Sequence, residues 1–497
     1  MKDRHLPARI SALTLVLLAA AALPAAAQAT LPTDARLAPR PAGFEALTRL
    51  GVLDATVQRI ALPETAGAPI VTSIVIEGAP RTLLLDPVSL RAPGFRLLVQ
   101  GQDGELQQVS PAPPATYRGT LPEYPGSVVS GSLLDGGLTG SLLLRPGDAP
   151  FGIQPLSALE SSADPAEHVV YDSRDQAPTD ATCGVPTLAL PHAEGSDEAT
   201  SGAPGGGATS VRICEIACDA DFEFYQSKGS SVANVQADIE NILNGVENIY
   251  SSDVEVLYQI TTIVVRTNSS DPYTTASPGG LLDEFQIEWN QNQNGVQRDV
   301  AHLFTGRNLS GSTIGIASLG VICTINNAYG LSQSNFSGSF TFRVGLTAHE
   351  LGHNWSAFHC DGQGDCKIMC SGIGGCGPVT SFGSSAISSI LGKKASVNCL
   401  SLPPPSVTPT LLSVNPASVQ ALGGGTITLN GDDFNTASQV DVGGVLLGPG
   451  AFTVTGSTKL TFSPPVPLAL GANDVTVTNV VGVSNVATLT YTAIDPP

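Results

Sequence analysis

Basic residues are scarce in this chain, and so are charged residues of either sign. Lys and Arg number 23 against 43 Asp and Glu in 497 residues, which gives a formal net charge of −20. Such an acidic chain repels phosphate backbones, so the composition argues against nucleic acid as a partner. Charged residues amount to only 13%, whereas hydrophobic residues reach 42%. That balance is typical of packed globular modules rather than of solvated disorder.

Long apolar runs are missing from the chain after its N-terminus. Residues 11–22 form one short apolar run, between basic residues and the small-residue segment Ala27-Gln28-Ala29. This pattern predicts a signal peptide over residues 1–29 and hence a secreted protein. A membrane anchor is the alternative, but the run is too short to span a bilayer comfortably. No later segment is apolar for long enough, so we expect no membrane span.

Aromatic residues make up only 5% of the chain, whereas glycine (53) and proline (37) are plentiful. This balance favours β modules rich in turns and loops. The chain is predicted to be multidomain. Its segments are a mostly-β domain at 30–186, an exposed acidic and Gly-rich linker at 187–208, an α/β domain at 209–402, and a small β-sandwich at 406–495.

The α/β prediction for 209–402 rests on alternating helix and strand patterns. Apolar residues recur at intervals of three and four from Val232 to Ile249, which predicts an amphipathic helix with one buried face. The apolar spacing around Phe285 predicts a second helix, and the β-branched segment 254–265 predicts a strand. A last helix leads into a group of histidines, and the alternation indicates helices layered on a sheet.

Histidine is rare, with 7 in the chain, yet three fall close together between residues 346 and 361. His349 and His353 are four apart, so a helix presents both imidazoles on one face to a single metal ion. Glu350 lies beside them and can take a proton from water. His359 can return as a third ligand after a turn. Three neutral imidazoles leave one tetrahedral position open, which is the arrangement of a catalytic zinc site.

Methionine occurs twice, as the initiator and as Met369. The second lies ten residues after the third histidine, where metzincin peptidases carry their Met-turn, a tight turn beneath the zinc ligands. Together with the histidine motif, this segment resembles the adamalysin (reprolysin) branch of the metzincins. The resemblance covers roughly residues 209–402 and includes edge-strand motifs between 301 and 323.

The resemblance implies a peptidase whose substrates are proteins or peptides, bound as an extra strand at the sheet edge. His349, His353 and His359 match the family's zinc ligands, and Glu350 matches its general base. Ser356 replaces a glycine that the family uses to turn the chain, which predicts strain at that position.

The resemblance also extends to calcium and to one disulfide. Many relatives bind calcium, and Glu215 and Asp299 match two of the carboxylate positions of that site. Calcium is therefore a second candidate cofactor, with two ordinary surface acids as the alternative. Cys323 and Cys399 resemble the family's long-range disulfide.

Nine cysteines in an exported chain indicate disulfides, and an odd count leaves one thiol over. The four cysteines between 360 and 376 can staple the active-site turn or, alternatively, bind a second zinc ion. Cys214 and Cys218 are too far apart on an extended strand to pair with each other. Each is expected to find another partner, or the strand to bend. Cys183 is then the remaining thiol.

Cys183 lies just before the predicted linker, in the segment Ala181-Thr-Cys-Gly-Val-Pro186. This segment resembles the cysteine switch of ADAM pro-regions, in which a thiolate occupies the open position on the zinc. Upstream motifs between 124 and 171 resemble an ADAM-type prodomain. The resemblance implies a latent zymogen. An unpaired or intermolecular cysteine is the alternative.

Residues 406–495 resemble an IPT/TIG immunoglobulin-like domain, in motifs at 414–416, 424–431 and 477–480. They carry no evident catalytic group. Binding to a surface or to substrate is one hypothesis for this domain, and a spacer is the other.

The sequence therefore predicts a secreted zinc endopeptidase that is made as a latent zymogen. The main alternative is a catalytically inactive metzincin-fold protein that acts in surface binding or adhesion. A complete ligand set together with Glu350 argues against that alternative. A thermolysin-like peptidase would need a distant glutamate as its third ligand, which His359 makes unnecessary.

Overall fold

The computed structural model describes residues 38–134, 137–145, 147–177, 179–185, 211–377, 379–403, 407–422, 424–434, 436–455, 458–466 and 468–493. The predicted signal peptide (1–29) and the whole predicted linker (187–208) lie outside these ranges. Within them, no helix is both long and apolar enough to cross a membrane.

The N-terminal region, residues 38–185, is built mainly of strands. Its elements are β1 (Arg40–Pro41), α1 (Phe44–Leu50), β2 (Thr56–Arg59), β3 (Ile70–Ile76), β4 (Ala79–Pro87), β5 (Arg91–Gln100), β6 (Leu106–Val109), β7 (Thr116–Thr120), β8 (Val128–Leu134), β9 (Gly137–Leu143), β10 (Phe151–Pro155), β11 (Glu167–Asp172) and β12 (Thr182–Cys183). Nine of these strands form one antiparallel sheet in the order β1-β2-β11-β10-β9-β8-β7-β4-β3. The predicted mostly-β character is confirmed.

The hairpin of β3 and β4 shows why this region folds as strands. Successive side chains of β3 point to opposite faces, and every second one is buried, so Ile70, Ile74 and Ile76 face the core of the sheet. Glu77 and Gly78 connect the two strands with φ angles of 52° and 74°. Positive φ at both positions of a two-residue loop matches the right-handed twist of paired strands, which fixes the register of the hairpin.

The central region, residues 211–403, is an α/β structure, as the sequence predicts. Its elements are β13 (Arg212–Ala220), α2 (Phe222–Ser227), α3 (Val232–Val254), β14 (Val256–Val265), α4 (Pro278–Asn292), β15 (Val300–Thr305), β16 (Thr313–Ala317), β17 (Tyr329–Gln333), α5 (Phe340–Asn354) and α6 (Ser384–Ser396). Helices α3 and α5 pack on one face of the sheet around β13, and α4 packs on the other face.

The sheet of the central region includes strands from the N-terminal region. Its order is β12-β16-β17-β15-β13-β14-β5-β6. Strand β12 pairs in parallel with β16 at one edge, and β5 pairs in parallel with β14 near the other. The sheet therefore crosses the boundary that the sequence places between residues 186 and 209. Strand β12 and the β5–β6 pair of the N-terminal region thus lie at opposite edges of the central sheet.

Six of the nine cysteines form disulfides: Cys323–Cys399, Cys360–Cys366 and Cys370–Cys376. The expectation that Cys214 and Cys218 also find disulfide partners is wrong. Both lie on β13 and point to the same side because they are four residues apart on a strand. They are fully buried in the apolar core beneath α3 and α5 and remain thiols. Cys183 is therefore one of three free cysteines, whereas the odd number of cysteines in the sequence predicts a single unpaired thiol.

The C-terminal residues form two packed antiparallel sheets, apart from one parallel strand pair. The strands are β18 (Thr410–Asn415), β19 (Ser418–Gln420), β20 (Ile427–Asp432), β21 (Gln439–Val442), β22 (Val445–Leu447), β23 (Phe452–Val454), β24 (Lys459–Phe462), β25 (Gly471–Thr478) and β26 (Ala487–Thr492). The sheet orders are β18-β20-β24-β23 and β19-β26-β25-β21-β22, around one apolar core. This arrangement agrees with the predicted sandwich, whereas its IPT/TIG assignment stays a prediction.

Candidate metal centre

Helix α5 carries the first two histidines and the glutamate between them. Ser339 caps the helix by accepting a hydrogen bond from the N–H of Phe342, which satisfies a free donor of the first turn. His349 and His353 are one turn apart and both are buried. Their Nε2 atoms are 3.0 Å apart. The helical spacing therefore brings the two imidazoles together as the sequence suggests.

The chain reverses direction directly after α5. Ser356 has φ 75°, in the left-handed region that glycine adopts most easily. The expected strain at this position is thus present in the backbone. Hydrogen bonds to neighbouring segments stabilise the turn. The N–H of Gly320 donates to His353 O. The side-chain amide of Asn354 donates to Ser318 O and Tyr329 O.

The turn returns His359 to the other two histidines. Its Nε2 lies 3.2 Å from Nε2 of His349 and 3.1 Å from Nε2 of His353. Tetrahedral zinc with bonds of about 2.0–2.1 Å separates its nitrogen ligands by roughly 3.3 Å. The three nitrogen atoms therefore have the spacing that a single zinc ion requires.

Backbone carbonyls orient two of the imidazoles. Nδ1 of His349 is 2.6 Å from Ile368 O, and Nδ1 of His353 is 2.8 Å from Ala357 O. An Nδ1–H that donates to a carbonyl leaves Nε2 as the lone-pair nitrogen, which is the form that binds a metal. Burial lowers the pKa of both imidazoles, so the neutral form is favoured.

Glu350 points toward the space between this histidine group and strand β16. The carboxyl is fully buried, and its Oε1 has no hydrogen-bond partner among the described residues. Burial raises the pKa of Glu350 well above its usual range. Gly315 of β16 faces the carboxyl so closely that a Cβ there would lie 2.2 Å from Oε1. Gly315 is a site residue that the motif pattern did not single out.

Cys183 lies against the same group. Its Sγ is 3.5 Å from Nε2 of His353 and 3.5 Å from Oε2 of Glu350. The sulfur and the three imidazole nitrogens all lie within 4.8 Å of one another, as four ligands of one metal ion would. Burial and the neighbouring carboxyl of Glu350 raise the pKa of the Cys183 thiol.

The backbone around Cys183 is bound on both sides. On one side, the N–H groups of Thr182 and Gly184 donate to carbonyls of the β16 segment. On the other side, the N–H of Cys183 donates to Ser371 O at 2.9 Å, and the N–H of Ile373 donates to Ala181 O at 3.0 Å. The segment thus fills a cleft between β16 and residues 371–373, directly over the histidines.

Met369 lies beneath the histidines and is fully buried. Its carbonyl accepts a hydrogen bond from the N–H of Cys360, which joins the segment after His359 to the methionine turn. The disulfides Cys360–Cys366 and Cys370–Cys376 close two short loops on either side of this turn. The four clustered cysteines therefore form two disulfides and are not thiolate ligands of a second zinc ion.

Asp361 follows the third histidine by two residues and binds the wall of the cleft. Its Oδ1 accepts hydrogen bonds from the backbone N–H of Ser371 at 3.1 Å and from the Ser371 hydroxyl at 2.8 Å. Burial lowers the pKa of His359, and the nearby carboxylate of Asp361 opposes that shift. The sequence analysis did not identify this role of Asp361. The one signal for it in the sequence is the position of Asp361, two residues after the third histidine.

The two candidate calcium ligands lie next to each other but away from the histidines. Oδ2 of Asp299 accepts from the N–H of Glu215 at 2.8 Å, and the Glu215 carboxylate accepts from Nε2 of Gln297 at 2.8 and 2.7 Å. Burial raises the pKa of Asp299 to about 6. Among the described residues, Glu215 belongs to no group of three or more candidate ligands. Calcium binding stays a prediction.

Comparison with known proteins identifies the domain around this centre. Residues 210–399 match the model of metallo-peptidase family M12. The chain is 26% identical over 257 residues to human disintegrin and metalloproteinase domain-containing protein 9, covering 48% of this chain and 30% of that protein. It is 25% identical over 168 residues to mouse disintegrin and metalloproteinase domain-containing protein 19, covering 34% of this chain and 18% of that protein.

The chain thus matches less than a third of the length of these relatives. Among solved structures, metalloproteinase-II from Bacteroides fragilis aligns with a TM-score of 0.37 and 14% identity, over 66% of this chain and 92% of that chain. The family match and the relatives show that residues 210–399 are similar to the adamalysin (reprolysin)-type metallopeptidases of family M12.

Proposed function

We propose that this chain is a secreted, zinc-dependent endopeptidase that hydrolyses peptide bonds of extracellular proteins and is made as a latent zymogen. One observation carries the proposal. Three imidazole Nε2 atoms lie 3.0–3.2 Å apart, with the buried carboxyl of Glu350 beside them. This donor set is the one that catalytic zinc prefers.

His349, His353 and His359 would hold the zinc. When bound, zinc supplies Lewis-acid activation of water and of the peptide carbonyl. Glu350 takes the proton from the attacking water and passes it to the leaving nitrogen as the C–N bond breaks. Its position supports this role, because Glu350 is fully buried beside the three imidazoles and its Oε1 has no hydrogen-bond partner among the described residues.

The cleft beside β16 is the proposed substrate site. The N–H groups of residues 182–184 donate backbone hydrogen bonds to carbonyls of both walls, and Ala181 O accepts one from the N–H of Ile373, as an extended substrate would. Gly315 keeps the space between the strand and Glu350 open. The same contacts support latency, because a peptide cannot enter the cleft while this segment occupies it.

The alternative of a surface or adhesion protein without activity is less well supported. Such a protein has no need of a buried, unpaired carboxyl oxygen at position 350, which is unfavourable in a purely structural role. Surface or substrate binding through residues 406–495 is a separate proposal that rests on the resemblance of that segment alone.

The variant Glu350→Gln tests the proposal. The processed variant should retain one zinc per chain, measured by elemental analysis, and lose cleavage of an unstructured protein substrate by at least about 1,000-fold. Asp283→Asn, an exposed acid on α4, is the matched control and should cleave normally. Full activity in Glu350→Gln, or a parent protein without zinc, would overturn the proposal.

A further inference from the structure

Helix α3 is buried on two sides. Its apolar side faces the central sheet, whereas its polar side faces the N-terminal region. The polar side consists of Gln236, Glu240, Asn241, Asn244 and Glu247, none of which is more than 8% exposed. An amphipathic helix usually turns such a side to water. Because this polar side is buried here, each of its donors and acceptors requires a hydrogen-bond partner in the N-terminal region.

Two arginines of the N-terminal region pair with the acids of this polar side. Arg91 forms a two-point contact with Glu240, with N–O distances of 2.8 and 3.2 Å. Arg118 lies 2.7 Å from Glu247. The acid side chains are only 4% and 10% exposed and their arginine partners 12% and 26%, so removing an arginine would leave a poorly solvated carboxylate without its partner.

Asn244 lies between these pairs, and among the described residues its side chain forms hydrogen bonds only with the N-terminal region. Its amide donates to Tyr117 O at 3.0 Å and to Gly131 O at 3.2 Å, and its oxygen accepts from Nε of Arg118 at 2.9 Å. These contacts are directional, so they fix one orientation of the N-terminal region on the helix.

Strand β14 adds a backbone contact to this surface. Ile260 donates its N–H to Leu90 O at 2.8 Å, and residues 262–265 pair in register with Arg96–Val99 of β5. Leu97 packs into the core beneath α3, and Leu98 packs against the core on the opposite face. Strand β5 therefore completes both apolar layers of the central region and covers a long strand edge that would otherwise be open.

We propose that the polar side of α3 and the edge of β14 form a docking surface, the α3–β14 surface, that keeps residues 38–185 bound as a separate polypeptide after the chain is cut within 187–208. The processed protein is then a two-chain complex. Binding at the α3–β14 surface does not depend on the cleft, so removing Cys183 from the histidines does not release the N-terminal region. The inference rests on the proposed processing within 187–208 but not on the peptidase chemistry.

The test uses the full chain carrying Glu350→Gln, to prevent self-cleavage, and a recognition sequence for a specific endopeptidase inserted within 187–208. After the cut, both fragments should elute together in size-exclusion chromatography at micromolar concentration. They should still do so when Cys183→Ser is added. Separation of the fragments in either protein would overturn the proposal.

A second set of variants identifies the surface. In the cut Cys183→Ser protein, Arg91→Ala with Asn244→Ala should weaken fragment binding on the order of 100-fold or more, because Glu240 loses its buried partner. Arg145→Ala is the matched control, since Arg145 is exposed and its partner Asp148 also lies in the N-terminal region. Equal binding in the double variant and the control would contradict the assignment.

A further measurement tests the proposal even if the Arg91→Ala with Asn244→Ala variant fails to fold. In the cut Cys183→Ser protein, amide hydrogen exchange at residues 260–265 reports directly on the pairing of β14 with β5. Slow exchange equal to that of the uncut chain supports the proposal, and fast exchange contradicts it. Neither readout involves zinc or cleavage, so failure of the proposed peptidase function would leave both results interpretable.

Discussion

Gly352 faces the sulfur of Met369 so closely that no further carbon fits between them. A Cβ at position 352 would lie 2.8 Å from Sδ of Met369 and 3.2 Å from the ring of Phe382. All three residues are buried, so the methionine cannot simply swing into solvent. The methionine turn and the histidine helix therefore fix each other's position through this contact.

We predict that Gly352→Ala destabilises the protein by about 1–3 kcal/mol, because the added methyl group overpacks the contact with Met369. Thermal unfolding monitored by circular dichroism measures the effect. Gly392→Ala on α6 is the control, since no described atom beyond its own stretch of helix lies within 4 Å of a Cβ there. The control should be neutral or stabilising by up to about 1 kcal/mol. Equal melting temperatures of the two variants would show that the contact between Gly352 and Met369 leaves room for a methyl group.

Cys183→Ser should raise the peptidase activity of the uncut chain by on the order of tenfold, which corresponds to about 1.4 kcal/mol. The serine removes the sulfur next to the histidines, but the backbone hydrogen bonds of residues 181–184 remain, so latency should be lost only in part. Cleavage of a short fluorogenic peptide measures the change. Cys218→Ala removes a buried thiol away from the site and should stay latent. If the two variants behave alike, the thiol of Cys183 has no part in latency.

Asp361→Asn should weaken zinc binding by about 10–100-fold, the usual effect of losing a residue that orients metal ligands. The substitution removes the negative charge near His359 and replaces the oxygen pair that binds Ser371. Competition with a chelator of known affinity measures the loss. Asp180→Asn, an exposed acid near Cys183, is the control. Unchanged zinc affinity in Asp361→Asn would limit that residue to a structural role.

Removal of the Cys323–Cys399 disulfide, by Cys323→Ala with Cys399→Ala, should cost about 2–5 kcal/mol. This disulfide joins residues 76 apart in sequence and ties the segment after α6 to the loop before β17. Chemical denaturation midpoints of parent and double variant measure the difference. Adding reductant to the parent should move its midpoint at least as far as that of the double variant. A double variant as stable as the parent would refute the prediction.

Asp221 should make the protein less stable as pH rises from about 4 to 7. Burial raises the pKa of this carboxyl from 3.8 to about 7, with opposing hydrogen bonds from Gly306 and Thr305. The folded state therefore binds a proton that the unfolded state has already lost in this window. Stability contributed by that proton is present at low pH and is lost as pH rises through about 7.

Asp221→Asn should remove this dependence and be more stable than the parent at pH 8, by up to about 4 kcal/mol at about 1.4 kcal/mol per pKa unit. An asparagine oxygen can still accept from the N–H groups of Phe224 and Gly306, so the cap of α2 is kept. Urea unfolding at pH 5 and pH 8 gives the comparison, with Asp283→Asn as control. A parent and variant whose difference does not change with pH would contradict the assigned pKa.

Helices of the central region were readily predicted from local patterns. The spacing from Val232 to Ile249 corresponds to α3, and the apolar residues around Phe285 lie on α4. The histidines on α5 were placed by the same helical geometry. These features depend on residues close in sequence, where a periodic pattern reports directly on one face of an element.

Contacts between distant segments could not be predicted in the same way. The pattern of α3 indicates one buried face, yet its polar side is also covered, because Arg91 and Arg118 reach it from more than a hundred residues away. The segment Arg91–Gln100 has the composition of any strand, and nothing in it specifies pairing with β14. The free, buried state of the Cys214 thiol could not be predicted for a related reason, because the number of cysteines carries no information on their burial.

The short disulfide loops around Met369 have a practical consequence for preparing the protein. Cys360 immediately follows His359, and Cys370 immediately follows Met369. A chain expressed in a reducing cytosol would keep α5, but the segment that carries the third histidine would lose its covalent closure. Heterologous production should therefore be directed to the periplasm or the endoplasmic reticulum, where Cys214 and Cys218 are protected from mispairing once the core has closed around them.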